Sequence, residues 1–188
     1  MIKRIIVAIT GASGAIYGVR ALEILRHMEI ETHLIISPTA KLTIAQETSY
    51  QLRDIEILAN TVYDPQDLAA PVASGSFTTG GMIIAPCSIK TLSAIANSYT
   101  ADLIARSADV CLKEGRPLVL MVRETPLHRG HLSLMSKASD MGAILFPPVP
   151  AFYNHPQTID DLINSSVGRA LARLGIENNA YPRWKDEN

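Results

Sequence analysis

Ile5-Ile6-Val7-Ala8-Ile9-Thr10-Gly11-Ala12-Ser13-Gly14-Ala15, with Gly18 following, decides the fold. Ile5 to Ile9 is rich in β-branched residues and almost unbroken in apolarity, the pattern of a parallel strand covered on both faces. Thr10 to Gly14 reads as a turn. Ala15 to His27 carries Ile16, Val19, Leu22 and Ile24 or Leu25 at helical spacing. A buried strand, a glycine turn and an amphipathic helix form the first half of a βαβ unit. The first nine residues resemble a signal peptide superficially, but the apolar stretch is too short and runs into a turn rather than a cleavage site.

Working outward, the alternation continues. Thr32 to Ile36, Met82 to Ala85, Leu118 to Val122 and Ala143 to Phe146 read as strands. Pro38 to Thr48, Asp54 to Ala59, Ser88 to Asn97, Ala101 to Lys113, His131 to Met141 and Thr158 to Leu174 read as helices. Ser37 and Thr158 are N-cap candidates, and Asp160 and Asp161 suit the first turn of the last helix. Tyr63 to Phe77 reads mostly as loop, and Pro147 to Pro150 as a rigid turn. The expected architecture is α/β: three layers, with a parallel sheet doubly wound by helices on both faces. One domain over 1–175 is expected, with 176–188 a polar tail, mobile or docked on a neighbouring subunit.

The chain has 188 residues, 47% hydrophobic and 19% charged, within the roughly 100–200 residues of one domain. Net charge is -1 and aromatics are 5%, which argues against duplex or stacked single-stranded nucleic acid as partner. Two cysteines make no disulfide framework or zinc motif, so a reducing, cytoplasmic setting is expected. No apolar run nears the ~20 residues of a transmembrane segment.

Doubly wound sheets bind ligands at the carboxyl ends of their strands. Gly11 to Gly14 brings glycines and a helix N-terminus to the first strand end, suited to a phosphate or an electron-rich ring; a ligand-free tight turn is the alternative. The spacing is not G-x-G-x-x-G, and Ser37 stands where a nicotinamide enzyme places an acid. Tyr181 and Lys185 form a Tyr-x-x-x-Lys pair read as coincidence. Pro86-Cys87-Ser88-Ile89-Lys90-Thr91 brings hydroxyls and a charge, with plain helix capping by Ser88 the alternative. Cys87 is read as structural rather than nucleophilic. Arg123-Glu124 follows a buried strand and suits a phosphate with a proton-transfer group, or a surface ion pair. Phe152 and Tyr153 add a ring and a phenol. His128 and His131 lack a third ligand nearby, so no metal is assigned.

Taken together, the chain resembles the flavin prenyltransferases of the UbiX/Pad type. The resemblance rests on the blocks Thr10 to Ala15, Ser74 to Phe77, Pro86 to Leu92, Ala108 to Leu120, Arg123 to Leu127 and Pro147 to Tyr153. It covers about residues 3 to 174. Cys111, where an aliphatic residue is expected, and the tail after Gly175 depart from it. The resemblance implies a flavodoxin-like (Rossmann-like) domain that binds reduced FMN. It also implies transfer of a dimethylallyl group from dimethylallyl monophosphate to flavin N5 and C6, without metal. The product, prenylated FMN, serves UbiD-type decarboxylases in ubiquinone biosynthesis or aromatic-acid decarboxylation.

Carried over residue by residue, the resemblance implies FMN contacts from Gly11, Ala12, Ser13, Ser37, Ser88, Ile89, Lys90, Thr91 and Arg123. Ser13 and Glu47 are implied near the reacting N5. Arg106, Lys113, Arg123, Glu124, Tyr153 and Arg169 are implied around the donor phosphate, drawn from more than one subunit of a homododecamer. The implied catalytic set is Ser13, Glu47, Glu124 and Lys113. The competing readings are an FMN-dependent decarboxylase of an aromatic or cysteine-derived acid and a non-catalytic flavin carrier. Lys90 and the charged set Arg106, Lys113, Glu124 and Arg169 favour prenyl transfer.

Overall fold

The structure is a computed structural model that describes residues 4–183. The strands are β1 (Arg4–Ile9), β2 (Glu31–Ile36), β3 (Thr61–Tyr63), β4 (Met82–Cys87), β5 (Leu118–Val122) and β6 (Ile144–Leu145). The helices are α1 (Ala15–His27), α2 (Pro38–Glu47), α3 (Leu52–Glu56), α4 (Ile89–Ala96), α5 (Leu103–Lys113), α6 (Arg129–Asp140) and α7 (Ile159–Ala172). All pairings are parallel, in the order β3-β2-β1-β4-β5-β6. Without the three-residue edge strand β3 the order is the flavodoxin-like one; with it, the sheet gains one strand beyond β2.

Period-two alternation divides the sheet between two cores. Ile5, Val7 and Ile9 of β1 face α1, α2 and α7, packing with Val19, Leu22, Ile44, Val167 and Leu171. Ile6 and Ala8 face the other way, toward Leu92 and Ile95 of α4 and Leu103, Ala108 and Cys111 of α5. The expected strands and helices are all present, with boundaries moved by a few residues. Two helix starts shift because a side chain caps them. Asp102 accepts from Ala105 N, so α5 begins at Leu103. His128 Nδ1 accepts from Gly130 N, so α6 begins at Arg129 rather than His131. Ser37 and Thr158 cap α2 and α7 as expected.

The sequence reading assigns no strand at β3 and places only its last residue, Tyr63, in a loop. Its three residues pair with β2 alone and are half-exposed, so no buried apolar run marks them. Asn60 sets them in place: its Oδ1 accepts from Thr32 N at 2.8 Å. After α7 the chain turns back: Ile176 is buried and Asn178 Nδ2 donates to Gly168 O at 2.9 Å. Residues 176–183 of the expected tail therefore lie beside α7, while 184–188, Lys185 included, lie outside the described residues. Among the described residues no helix is long and apolar enough to cross a membrane.

The helix α1 lies tight on the sheet at Gly18, where an added Cβ would sit 2.3 Å from Ala85 O and 2.6 Å from Ile9 Cγ1. Both neighbours are buried and cannot yield. Gly18→Ala should therefore lower the urea unfolding midpoint, by about 1–3 kcal/mol of stability, although glycine-to-alanine changes inside helices ordinarily stabilise by about 1 kcal/mol.

Candidate active site

β1 and β4 are neighbours whose following helices, α1 and α4, pack on opposite faces of the sheet. A crevice opens where the winding direction changes. Thr10, 1% exposed, ties its two walls together. Its Oγ1 donates to Pro86 O at 2.7 Å and accepts from Ser88 N at 2.8 Å, while Thr10 N donates to Pro86 O at 3.2 Å. Arg123 N donates to Cys87 O at 3.1 Å, which joins the end of β5 to the same rim.

Beside this clamp lies a cleft of about 270 Å³ lined by Gly11, Ser37, Pro38, Thr39, Pro65, Gln66, Ser88, Lys90, Thr91, Asp102 and Ile104. The starts of α2 and α4 face it. Ser37 Oγ accepts from Ala40 N at 3.1 Å, which leaves its proton to donate. Ser88 Oγ accepts from Thr91 N and donates to Thr91 Oγ1 at 3.1 Å, so the free proton of this pair is on Thr91. Capping of α4 by Ser88 thus leaves the Thr91 hydroxyl proton available to a ligand. Two helix N-termini, two hydroxyl donors and the Lys90 ammonium make a cleft suited to the phosphate and polyol of a mononucleotide-like ligand.

A second cluster stands at the same sheet edge. Glu47, the last residue of α2, accepts from Gly14 N at 2.7 Å. Burial pushes its carboxyl up, but bonds from Gly14 N, Ser13 Oγ and Ala15 N and the charge of Arg123 outweigh this, and its pKa lies below the ordinary carboxylate value. Tyr17 completes the cluster; burial raises its phenol pKa against the opposing charge of Arg123. Gly14, at φ +99°, makes the turn that presents these N–H groups. Here the structure corrects the sequence reading. The first N–H groups of α1 are not left for a phosphate, because Glu47 occupies them.

The expected site residues therefore separate into groups. Gly11, Ser37, Ser88, Lys90 and Thr91 line the cleft. Ser13, Glu47 and Arg123 form the second cluster; Ala12 is buried, and Ile89 packs against the second core. Glu124 is exposed at the end of β5 and accepts from Thr125 N at 3.0 Å. Arg106 and Lys113 lie along α5, which starts at the cleft and carries Lys113 about 16 Å away along the helix axis. Arg106 Nε donates to Ala73 O at 3.1 Å and its Nη1 pairs with Asp109 at 3.3 Å. Lys113 pairs with Glu114 beside Gly75. Tyr153 stands in the turn before α7 and is 39% exposed; Arg169 is exposed on α7.

Sequence reading missed Thr10, Tyr17, Gln66 and Asp102 as site residues. Thr10 follows the first strand in plain view, and Asp102 falls inside a helix read as starting at Ala101, so nothing local aims either at the cleft. Both cysteines are buried, and burial pushes both thiols up, Cys111 to about 12 despite the opposing charge of Arg116. Neither is poised as a thiolate. His128 caps α6, and its ring lies against that of His131, tilted by 37° with centroids 3.6 Å apart.

A doubly wound sheet with this cleft at its switch point defines a nucleotide-binding α/β protein. Comparison with known proteins narrows the class. The flavoprotein family model matches residues 1–170. The chain is 56% identical over 186 residues to the flavin prenyltransferase UbiX of Salmonella typhimurium, covering 97% of this chain and 98% of that one. The crystal structure of AnUbiX (PadA1) in complex with FMN and dimethylallyl pyrophosphate matches with a TM-score of 0.96 and 48% identity over 100% of both chains. A dodecameric FMN-dependent UbiX-like decarboxylase from Escherichia coli O157:H7 matches with a TM-score of 0.94 and 50% identity, over 97% of this chain and 99% of that one. The chain belongs to the UbiX-type flavin prenyltransferases of the flavoprotein family.

Two predictions follow from the geometry. Thr10→Val leaves Ser88 N without its buried acceptor and should cost about 1–3 kcal/mol in denaturant titration. Because the folded pKa of Glu47 lies below its ordinary value of 4.5, its contribution is full above that pH and is lost as pH falls through the folded value. The stability gap between wild type and Glu47→Gln should therefore be widest at neutral pH and shrink on acidification below 4.5, read from urea midpoints across that range.

Proposed function

We propose that the protein transfers a dimethylallyl group from dimethylallyl monophosphate to N5 and C6 of reduced FMN. The carrying observation is the pairing of a hydroxyl-lined phosphate cleft with the Ser13–Glu47–Arg123 cluster at one sheet edge. The flavin, when bound, supplies the electron-rich ring that takes up the prenyl carbons. The residues present fit it: Ser37, Ser88, Lys90 and Thr91 suit its phosphate end, and Ser13 and Glu47 stand toward the reacting edge.

In the balanced reaction the donor's allylic C–O bond breaks and phosphate leaves with the electron pair. Carbon bonds form at N5 and C6 as the prenyl double bond is consumed; the N5 and C6 protons are lost, one proton is taken up by the former alkene carbon, and the net proton leaves with the phosphate. Negative charge grows on the departing phosphate, so cations stabilise the transition state more than the bound donor. Arg123, beside the Ser13–Glu47 cluster, meets this need. Arg106, Lys113, Tyr153 and Arg169 are assigned to the same phosphate, supplied across subunits of a homododecamer. Glu47 is held anionic and orients the Ser13 hydroxyl, and Glu124 is placed to move a proton beside the phosphate. This reading includes transfer of the product to a UbiD-type decarboxylase and a cytoplasmic location, in keeping with two free buried cysteines.

The test is anaerobic incubation of purified protein with reduced FMN and dimethylallyl phosphate, without added metal, followed by mass spectrometry of the flavin. A gain of one prenyl unit with release of phosphate is expected. Unmodified flavin with either the monophosphate or the diphosphate donor overturns the proposal. Lys113→Ala and Glu124→Gln should each lower transfer about 100-fold or more while FMN binding stays within about threefold, a split that a mere flavin carrier would not show.

A further inference from the structure

Arg20 lies on the outer part of α1, one turn beyond Tyr17 of the Glu47 cluster. Its side chain is only 16% exposed, yet it faces three polar partners. Its Nε donates to Glu23 at 2.8 Å, its Nη2 to Asp160 at 2.8 Å, and its Nη1 to Asn164 Oδ1. Asp160 and Asn164 are four residues apart, on one face of the first two turns of α7. Glu23 in turn accepts from Tyr50 at 2.7 Å, three residues beyond Glu47. A guanidinium offers a planar fork of donors, and here all three nitrogens are used.

The start of α7 is also where the Tyr153 turn is anchored. Asp161 Oδ2 accepts from Gln157 N and Thr158 N at 2.9 Å, and Gln157 Nε2 donates to His155 O at 2.7 Å. Phe152 of the turn is 67% exposed, and the Asp161 bonds tie the C-terminal side of the turn to α7.

We propose that Arg20 is a positioning residue: by bridging α1 and the start of α7 it sets where the Tyr153 turn stands relative to the Ser13–Glu47 cluster. The proposal rests on the prenyl-transfer reading, in which Tyr153 contacts the donor phosphate while the flavin is held from β1, β2 and β4. Loss of Arg20 would then loosen the donor side and leave the flavin cleft, which Arg20 does not touch, in place. Misplacement of a binding group by about 1 Å is enough to cost up to about 100-fold.

The test uses the full-length protein loaded with oxidised FMN, so that no turnover occurs. Calorimetry with dimethylallyl phosphate reads donor affinity, fluorescence titration reads FMN affinity, and hydrogen–deuterium exchange reads the 151–157 turn. For Arg20→Met, donor affinity should fall about tenfold or more and exchange in the turn should rise, while FMN affinity stays within about threefold. Arg20→Lys, which keeps the charge without the fork, should fall between. Asp160→Ala and Asn164→Ala each remove one arm, should shift both readouts the same way by less, and carry the test if Arg20→Met does not fold. Unchanged donor affinity and turn exchange overturn the proposal, as does a parallel loss of FMN and donor binding. If the wild-type protein fails to transfer the prenyl group, the functional reading falls, and exchange in the turn still decides whether Arg20 positions it.

Discussion

The whole site depends on one buried hydroxyl. Thr10 Oγ1 bonds the end of β1 to the end of β4 through Pro86 O and Ser88 N, where these two neighbouring strands send their helices to opposite faces. The parallel ladder ends there, and without the hydroxyl Ser88 N would lose its partner inside the protein. With the bridge, Ser88 is held as the cap of α4, and the cap in turn sets Thr91 facing the cleft.

Electrostatics then divides the labour between helix termini. Three helices, α1, α2 and α4, begin at the same sheet edge, each with a partial positive charge. The α1 terminus is already satisfied by Glu47, a carboxylate carried at the far end of α2. The α2 and α4 termini are capped by serines, which are neutral and leave the positive ends unneutralised. An anionic ligand is therefore directed to one side of the edge, and the Ser13–Glu47 pair is kept for the other. Arg123 stands within electrostatic reach of Glu47 and Tyr17, so the strand β5 contributes its charge where these two regions meet.

The core behind this edge is built to hold still. Gly18 brings α1 against the backbone of β4, and Arg20 joins α1 to α7 on the outer side of the same helix. One helix thus registers the cleft, the Glu47 cluster and the α7 segment against a common frame.

By itself the sequence determined the alternation of strands and helices, the parallel sheet, the caps Ser37 and Thr158, and the strand-end residues Gly11, Ser37, Ser88, Lys90 and Thr91. These are local properties: periodicity, turn chemistry and the rule that ligands gather at carboxyl ends of parallel strands. Tertiary structure alone decided the rest. The strand β3 exists because Asn60 and β2 supply its partners, which its own half-exposed residues do not announce. Glu47 sits on the α1 terminus because two elements 33 residues apart meet there, and Arg20 reaches Asn164 across 144 residues. Local sequence carries the preference of each segment, but charges brought together by long-range packing acquire their partners only when the chain closes on itself.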